Sequence, residues 1–321
     1  MIIVTGAAGF IGSCFVAKLN EMGLTDLVLV DVLDHEEKKN NLKDKKYSDF
    51  IDKSDFIKKI RDNLFSKKCE GVFHIGACSS TMETGEAFLM ENNVRYSQDL
   101  CKWTLEIGAP FHYASSAATY GDGEQGYSDD YELIPKLRPL NLYGKSKLLF
   151  DLWIIDQRLQ GKVVGYKYFN VFGPNEYHKN EMRSVITKAY DQIMQTGKLR
   201  LFKSYRPEYK DGEQVRDFVY IKDVVEIMYD IFKEGKILGI YNLGTGKART
   251  WNDLAKAAFS ALNKPVNIEY IDMPQEIRGK YQYYTQADLS RLRQAGCVHK
   301  FRSLEESTAD YMLYLKSHAY L

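Results

Sequence analysis

Tyr143 and Lys147 stand four residues apart in PLNLYGKSK, a spacing that on a helix projects both side chains from one face. A phenol with its ordinary pKa of about 10 is a poor base at neutral pH. A neighbouring ammonium would favour the phenolate, and Lys147 is placed to supply it. Upstream, SSAATYG puts Ser116 at the end of a predicted strand, where its hydroxyl can hydrogen-bond a reacting alcohol. A second candidate for proton transfer follows: Lys179, in NEYHKNEM, just beyond the Gly173-Pro174 turn. A lysine in a polar loop is ordinarily solvated. To act as a base it must be neutral for part of the cycle, and burial or nearby cations lower its pKa. His178 is expected to add to that effect, and Glu176 and Glu181 to oppose it.

The first residues carry a different signal. GAAGFIG, with Gly6, Gly9 and Gly12, follows a predicted strand and opens a predicted helix. In that context Gly6 permits a tight turn, Gly9 lets backbone approach a pyrophosphate, and Gly12 allows close helix–strand packing. The helix N-terminus then presents free N–H groups and a partial positive charge to the phosphates. A bound dinucleotide is therefore expected, with Lys147 able to hold the nicotinamide ribose. Asp31 ends the second strand, where a carboxylate accepts from the adenosine ribose and favours NAD. Lys38, Lys39 and Lys53 follow, and any of them can pair with the 2′-phosphate of NADP. Each also reads as an ordinary solvated loop cation. These residues leave NAD and NADP open.

Positioning those groups requires strands that end at them. Residues 1–5, 26–31, 71–77, 110–116 and 163–171 are short, continuous apolar runs, as in strands buried on both faces. Helical spacing occupies 12–22, 55–64, 86–107 and 143–159 between them. The alternation predicts an α/β fold, a doubly wound parallel sheet of the Rossmann type with a smaller C-terminal substrate-binding lobe. Residues 1–170, with returning segments at about 215–245, are expected to bind the dinucleotide, and 171–321 mainly the substrate. Helical patterns at 184–195, 224–232, 251–262 and 303–316 alternate there with short strands and charged loops such as 206–217. There is no internal repeat and no low-complexity linker, so the two parts are expected to interleave.

The bulk properties exclude several classes. The 321 residues are 45% hydrophobic and 27% charged, with a formal net charge of +1, so any anion site must be built locally. The lysine runs at 43–46 and 67–68 lack interleaved aromatics, which argues against nucleic acid. No apolar run approaches membrane-spanning length. The chain begins directly with a strand pattern rather than a signal sequence, and a soluble, cytoplasmic protein is expected. The cysteines, Cys14, Cys69, Cys78, Cys101 and Cys297, are scattered without C-x-x-C spacing. Reduced thiols are expected, and no metal site.

Taken together, GAAGFIG, SSAATYG, YGKSK, RDFVYIKDV (216–224) and YNLGTG (241–246) resemble the extended short-chain dehydrogenase/reductases that act on nucleotide sugars. HIGACSST (74–81), PFHYASSAATYG (110–121), PLNLYGKSK (139–147), YFNVFGP with HK (168–179) and KYQYYTQADL (280–289) are more narrowly similar to the ADP-L-glycero-D-manno-heptose 6-epimerase family of lipopolysaccharide inner-core synthesis. The resemblance covers essentially the whole chain. It implies inversion at C6″ of an ADP-heptose by transient oxidation to a ketone, with the hydride returned to the opposite face. The oxygen then occupies two positions, and Tyr143 and Lys179 each attend one.

The resemblance further implies tightly bound NADP, one per subunit, with NAD as the alternative. Its contacts would include Phe10, Ile11, Val32, Ile75, Gly76, Ala77, Cys78, Ser79, Asn92 and Val171. For the sugar nucleotide it implies Asn170, Phe202, Lys203, Ser204, Arg216 and Tyr281, with Arg216 suited to the pyrophosphate as a bidentate fork. Glu181 and Lys188 are also placed at the substrate, where the family carries a small hydroxyl residue and a histidine. Val32 stands where a polar residue is usual, and the 202–216 loop is longer. A homo-oligomer, a pentamer in particular, is implied as well. The competing readings are another nucleotide-sugar enzyme on the same scaffold and a non-catalytic dinucleotide-binding sensor. A 4-epimerase works without the loop lysine, and a 4,6-dehydratase would carry an acidic residue where SSAATYG has alanines. A sensor would be expected to have lost Tyr143 or Lys147.

Overall fold

The computed structural model describes residues 1–62, 64–65, 68–279 and 281–321. Asn63 in the predicted helix 55–64, Lys67 of one lysine run and Lys280 at the head of the 280–289 block lie outside the described residues.

The first half alternates strand and helix. In chain order it runs β1 (Ile2–Thr5), α1 (Phe10–Glu21), β2 (Leu27–Asp31), α2 (Glu36–Leu42), β3 (Asp49–Asp52), α3 (Lys53–Arg61), β4 (Gly71–His74) and α4 (Glu86–Leu89). A π-helical turn over Met90–Arg95 then leads into α5 (Tyr96–Glu106), β5 (Phe111–Ser116), α6 (Leu142–Asp156) and β6 (Val163–Tyr168). The second half comprises β7 (Asn170–Phe172), α7 (Val185–Thr196), β8 (Leu199–Phe202), β9 (Val215–Tyr220), α8 (Ile221–Glu234), β10 (Gly239–Leu243) and β11 (Ala248–Thr250). It ends with α9 (Trp251–Ala261), β12 (Ile268–Ile271), α10 (Gln275–Arg278), α11 (Ser290–Gln294) and α12 (Leu304–Ser317).

Seven parallel strands form the main sheet in the order β10-β6-β5-β4-β1-β2-β3. Helices cover both faces, which is why the strands read as unbroken apolar runs. Ile2, Val4, Leu27 and Leu29 point into one core, while Ile3, Val28, Val30 and Val72 point into the other. The order of the strands reverses between β1 and β4, and open α/β sheets bind ligands at the carboxyl ends beside such a switch point. GAAGFIG after β1 and HIGACSS after β4 meet there.

Three local differences from the sequence reading have physical causes. Residues 163–171 form two strands rather than one: β6 stays in the main sheet, and β7 pairs with β9 in a small sheet that also holds β11. The break falls at Phe169, whose N–H donates to Leu243 O of β10 at 3.1 Å. β3 and α2 carry too many polar residues to show an apolar period, yet β3 extends the sheet edge by pairing with β2. The stretch 86–107 is one helical rod interrupted by the π turn. No described helix is long and apolar enough to cross a membrane.

Candidate active site

The turn after β1 has the close contacts its glycines allow. Gly6 has φ +67°, and a Cβ there would lie 2.5 Å from Gly76 N; one on Gly12 would lie 2.0 Å from Gly6 O. Helix α1 begins at Gly9 with no side-chain cap and no acidic residue in its first turn, so its leading N–H groups remain free for an anion. These features fit a dinucleotide pyrophosphate. Asp31 braces the turn from β2, accepting from Ala8 N at 2.8 Å and Val32 N at 2.7 Å. Lys38 reaches back from α2 to Asp31 (3.3 Å), Asp34 (2.9 Å) and Val32 O (3.1 Å). Lys39 instead pairs with Glu36 on the exposed face of α2.

A cleft of about 600 Å³ runs from this turn along the carboxyl ends of β1, β4, β5 and β6. Apart from Lys39, every residue expected at the cofactor lines it: Gly6, Gly9, Phe10, Ile11, Gly12, Asp31, Val32, Lys38, Lys53, Ile75, Gly76, Ala77, Cys78, Ser79, Asn92, Lys147 and Val171. Ser116, Tyr143 and Lys179 line it too, so the four proton-handling candidates face one space. The π turn shapes its far wall. Asn92 accepts from Lys53 Nζ at 2.6 Å and donates to Asn93 at 2.8 Å. Asn93 in turn clasps Cys78, accepting from its N–H and donating to its C=O, both at 2.9 Å. A π turn often marks such a site, but the sequence offers no period that shows one.

Tyr143 and Lys147 sit on the first turns of α6, which Asn141 caps by accepting from Gly144 N at 2.8 Å. Lys147 Nζ donates to Ala114 O at 2.8 Å. Burial lowers its pKa to about 8, opposed by Asp151 and Cys78. Burial also raises the Tyr143 phenol above its ordinary value, and the Ser116 hydroxyl bonded to it acts in the opposite sense. His74, in the cleft wall at the end of β4, bridges Thr5 (2.7 Å) and Ser97 (2.8 Å). Burial drops its pKa to about 3, so it is neutral and structural.

Lys179 is carried by a tight six-residue stretch, Tyr177–Met182, two short helical turns kinked at Asn180, which adopts φ +47°. Its side chain is 24% exposed, and Nζ lies 5.1 Å from the centre of the Phe10 ring. Burial lowers its pKa, opposed by Glu176, whose carboxylate stands 3.9 Å away. His178 plays no part in this lowering, contrary to expectation. Burial first, then Lys38 and Lys179, push its own pKa to about 4, so it is uncharged at neutral pH. Glu181 does not oppose it either: its carboxylate is turned to solvent and pairs with Lys188 at 3.3 Å.

The turn is anchored from beneath. Buried Glu176 accepts from Ser184 N (2.7 Å), the Ser184 hydroxyl, Thr187 Oγ1 (2.7 Å) and Tyr311 OH (3.0 Å). Asn41 of α2 donates both to Ala8 O in the glycine turn (2.9 Å) and to Asn175 O (3.1 Å). The phosphate turn and the lysine turn thus share one side chain. The expectation that Glu176 opposes the lowering at Lys179 holds, but its anchoring role and that of Asn41 did not stand out in the sequence, because no local pattern shows their partners.

The residues expected at the sugar nucleotide lie outside the cleft just described and divide into separate groups. Arg216 is buried between aromatic rings, its guanidinium carbon 5.2 Å from the Tyr281 ring and 5.7 Å from that of Trp251. It donates to the carbonyls of Val215 (2.9 Å) and Gln282. Phe202 packs edge-on to Tyr281 at 6.4 Å, and Trp251 Nε1 donates to Tyr281 OH at 2.9 Å. Trp251 is an unforeseen member of this group. Lys203 pairs with Asp272 at 3.2 Å, Ser204 bonds within its own loop to Arg206 O and Asp211, and Lys188 is held by Glu181. Asn170 is exposed at the start of β7. The described cysteines are all free. Asp223, Glu226 and His299 come close enough to share a cation, but Arg302 already bonds both carboxylates.

A switch-point cleft with a glycine turn at one end and a Ser–Tyr–Lys set at the other defines a dinucleotide-dependent enzyme of the short-chain dehydrogenase type. The sequence model of the NAD dependent epimerase/dehydratase family matches residues 2–244, and the chain belongs to that family. Its cofactor is a nicotinamide dinucleotide.

Among the relatives, an ADP-L-glycero-D-manno-heptose-6-epimerase from Nitratidesulfovibrio vulgaris is 52% identical over 313 residues, 97% of each chain. The protein of the same name from Fusobacterium nucleatum is 47% identical over 321 residues, again 97% of each. The crystal structure of the Helicobacter pylori ADP-L-glycero-D-manno-heptose-6-epimerase superposes with a TM-score of 0.82 at 26% identity, over 98% of this chain and 96% of that one.

Proposed function

We propose that the chain interconverts ADP-D-glycero-β-D-manno-heptose and ADP-L-glycero-β-D-manno-heptose, as an isomerase serving lipopolysaccharide inner-core synthesis. The observation that carries this reading is the convergence on one cleft of two proton-handling side chains from different elements, Tyr143 on α6 and Lys179 on the turn after β7. An inversion at a carbinol carbon places its oxygen in two positions, and each position needs a donor or acceptor within hydrogen-bond reach.

A nicotinamide held in this cleft would supply the hydride acceptor and donor for C6″. The protein's part is to move the proton and hold the sugar. In one direction the side chain facing the C6″ hydroxyl, Tyr143 or Lys179, accepts its proton as the C6″–H bond breaks, leaving a 6″-ketone. The ketone turns over, and the other side chain donates a proton to the oxygen as the C6″–H bond re-forms on the opposite face. Ser116, already bonded to Tyr143, steadies the oxygen at the tyrosine position. Lys147 holds the nicotinamide ribose. The lowered pKa of Lys179 supports its use as a base, because a larger fraction is neutral near pH 7.

Arg216 anchors the pyrophosphate and Phe202, Tyr281 and Trp251 enclose the nucleotide, while Asn170, Lys203, Ser204, Glu181 and Lys188 border the sugar side. Arg216 supports this: it is buried with carbonyl and ring partners and no described carboxylate bonded to it, which leaves its charge available to an anion. We assign NADP on Lys38 and Lys53, which line the adenosine end beside Asp31. Residues 1–170 with about 215–245 bind the cofactor and the remainder mainly the sugar nucleotide. The family resemblance adds a cytoplasmic homo-oligomer, a pentamer, which sedimentation would test.

An NMR time course with ADP-D-glycero-β-D-manno-heptose and no added cofactor tests the reaction, with UDP-galactose and a GDP-hexose run in parallel. The L-glycero epimer is expected from the heptose alone, and its formation is expected to be lost in Lys179→Met and Tyr143→Phe with cofactor retained. Turnover of another sugar instead would overturn the substrate assignment, and normal turnover by Lys179→Met would remove the two-base account.

A further inference from the structure

Behind the catalytic helix lies a buried ion pair that the mechanism above leaves unused. Asp151 of α6 and Lys167 of β6 are both fully buried, with Nζ 2.6 Å from Oδ2. Asp151 sits one turn beyond Lys147. Its Oδ1 accepts from Tyr113 OH at 2.9 Å, and its Oδ2 also accepts from the Ser115 hydroxyl at 2.7 Å. Lys167 donates in addition to Thr119 Oγ1 at 2.9 Å and lies 5.3 Å from the centre of the Tyr120 ring.

Each partner belongs to an element that delivers a site residue. Ser115 precedes Ser116 at the end of β5, and Thr119 lies in the turn after it. Asp151 shares α6 with Tyr143 and Lys147, and Lys167 lies three residues before Asn170. Stability is a weak reason for such a pair, because apolar replacements of a buried ion pair are often neutral or stabilising. Geometry supplies a better one: a saturated charge pair fixes the relative register of the elements it joins.

We propose that Asp151 and Lys167 form a positioning pair that fixes Ser116, Tyr143 and Lys147 relative to one another and sets the electrostatic potential at that couple. The proposal rests on the reading of Tyr143 and Lys147 as the proton-handling couple. The field reaches both of them: Asp151 favours the charged form of Lys147 and the neutral form of Tyr143. The other titratable groups around them are Cys78 beside both Tyr143 and Lys147, Tyr168 at the end of β6 against Tyr143, His74 as a neutral ring, and Tyr113 and Tyr120 against the pair. Cys101 and Tyr131 lie beyond Tyr113.

The test is a titration of Tyr143 in the purified holoenzyme by its ultraviolet phenolate band, taken as the difference from Tyr143→Phe. Asp151→Asn is expected to move that midpoint to lower pH by about half a unit or more, since a negative neighbour is lost and Lys167 is left uncompensated. The ionisation limb of kcat/KM should follow it. Lys167→Arg, which keeps the charge, should leave both in place. If Asp151→Asn does not fold, Asp151→Asn with Lys167→Gln strands no charge and should shift the midpoint in the same direction. An unmoved midpoint in a folded variant that still holds its cofactor would overturn the proposal. A shifted midpoint in an enzyme that turns over no ADP-heptose would uphold the pair and reject the assigned reaction.

Discussion

Replacing Glu176 by glutamine should shift the pH dependence of the reaction toward acid, and the size of the shift follows from one distance. The carboxylate stands 3.9 Å from Lys179 Nζ and favours its ammonium form. Two unit charges at that separation interact by about 4 kcal/mol at an effective dielectric of 20 and about 1 kcal/mol in water. Lys179 is partly exposed, so its value falls between those limits. At about 1.4 kcal/mol per pH unit, the lysine pKa should fall by roughly one to three units. A base must be neutral to accept a proton, so activity rises with pH through the lysine pKa, and in Glu176→Gln that rise should begin at lower pH. The glutamine carbonyl can replace one accepting corner, while its amide meets hydroxyls of Ser184, Thr187 or Tyr311 that must rotate. A stability loss of about 1–3 kcal/mol is therefore expected as well. The assay is a kcat/KM profile from mildly acidic to alkaline pH, with a denaturant melt and cofactor content on the same preparation. A limb that stays fixed, or moves to higher pH, in a folded and loaded variant would refute the placement of Lys179 as a base held in check by Glu176.

Other perturbations probe the remaining parts. Gly12→Ala would drive a methyl group to 2.0 Å from Gly6 O; relieving that overlap costs about 1–3 kcal/mol, so dinucleotide affinity should fall on the order of ten- to a hundredfold, read as nucleotide released from the purified protein. Arg216→Met removes about 1.5–3 kcal/mol of charge-assisted bonding to an anion. The KM for the sugar nucleotide should rise about ten- to a hundredfold, with kcat and cofactor content little changed; an equal loss in kcat would place Arg216 elsewhere in the mechanism. Lys38→Ala should weaken NADP about tenfold in calorimetry of stripped enzyme while leaving NAD unaffected. A parallel loss of both would mean that Lys38 acts by bracing Asp31 rather than by meeting a 2′-phosphate.

The parts legible in the sequence were those whose signal is local. Gly6, Gly9 and Gly12 announce a phosphate turn because the strand before them and the helix after them are contiguous. Tyr143 and Lys147 are legible because one helical turn fixes their relation. Buried parallel strands give continuous apolar runs, which located the interior of the sheet. The edge strand β3, DFID, was missed because its two acids, Asp49 and Asp52, fall on opposite faces and break any apolar alternation. Helix α2 was missed because EEKKNNL buries only Asn41 and Leu42. The function of Glu176 depends on Ser184, Thr187 and Tyr311, the last 135 residues away, and no window of sequence displays such a contact. Asp151 gives no signal of its own within the helical stretch 143–159, because its partners Lys167 and Tyr113 come from two strands of the sheet. His178 shows the converse limit: it lies beside Lys179 as expected, but burial, with Lys38 and Lys179, leaves it uncharged.

The π turn at Met90–Arg95 bears on how this sequence can change. A π turn holds one more residue than the α turn it replaces, so deleting a single residue there would restore a regular helix. That deletion would rotate everything on one side by about 100° and draw it in by about 1.5 Å. Asn92 and Asn93 would leave Lys53 and Cys78, and Phe88, which lines the cleft, would swing off its wall. Substitutions along this rod can therefore accumulate one at a time, whereas a change in its length is a single large step. Among descendants of this sequence, residues 86–106 should drift in identity while keeping their count.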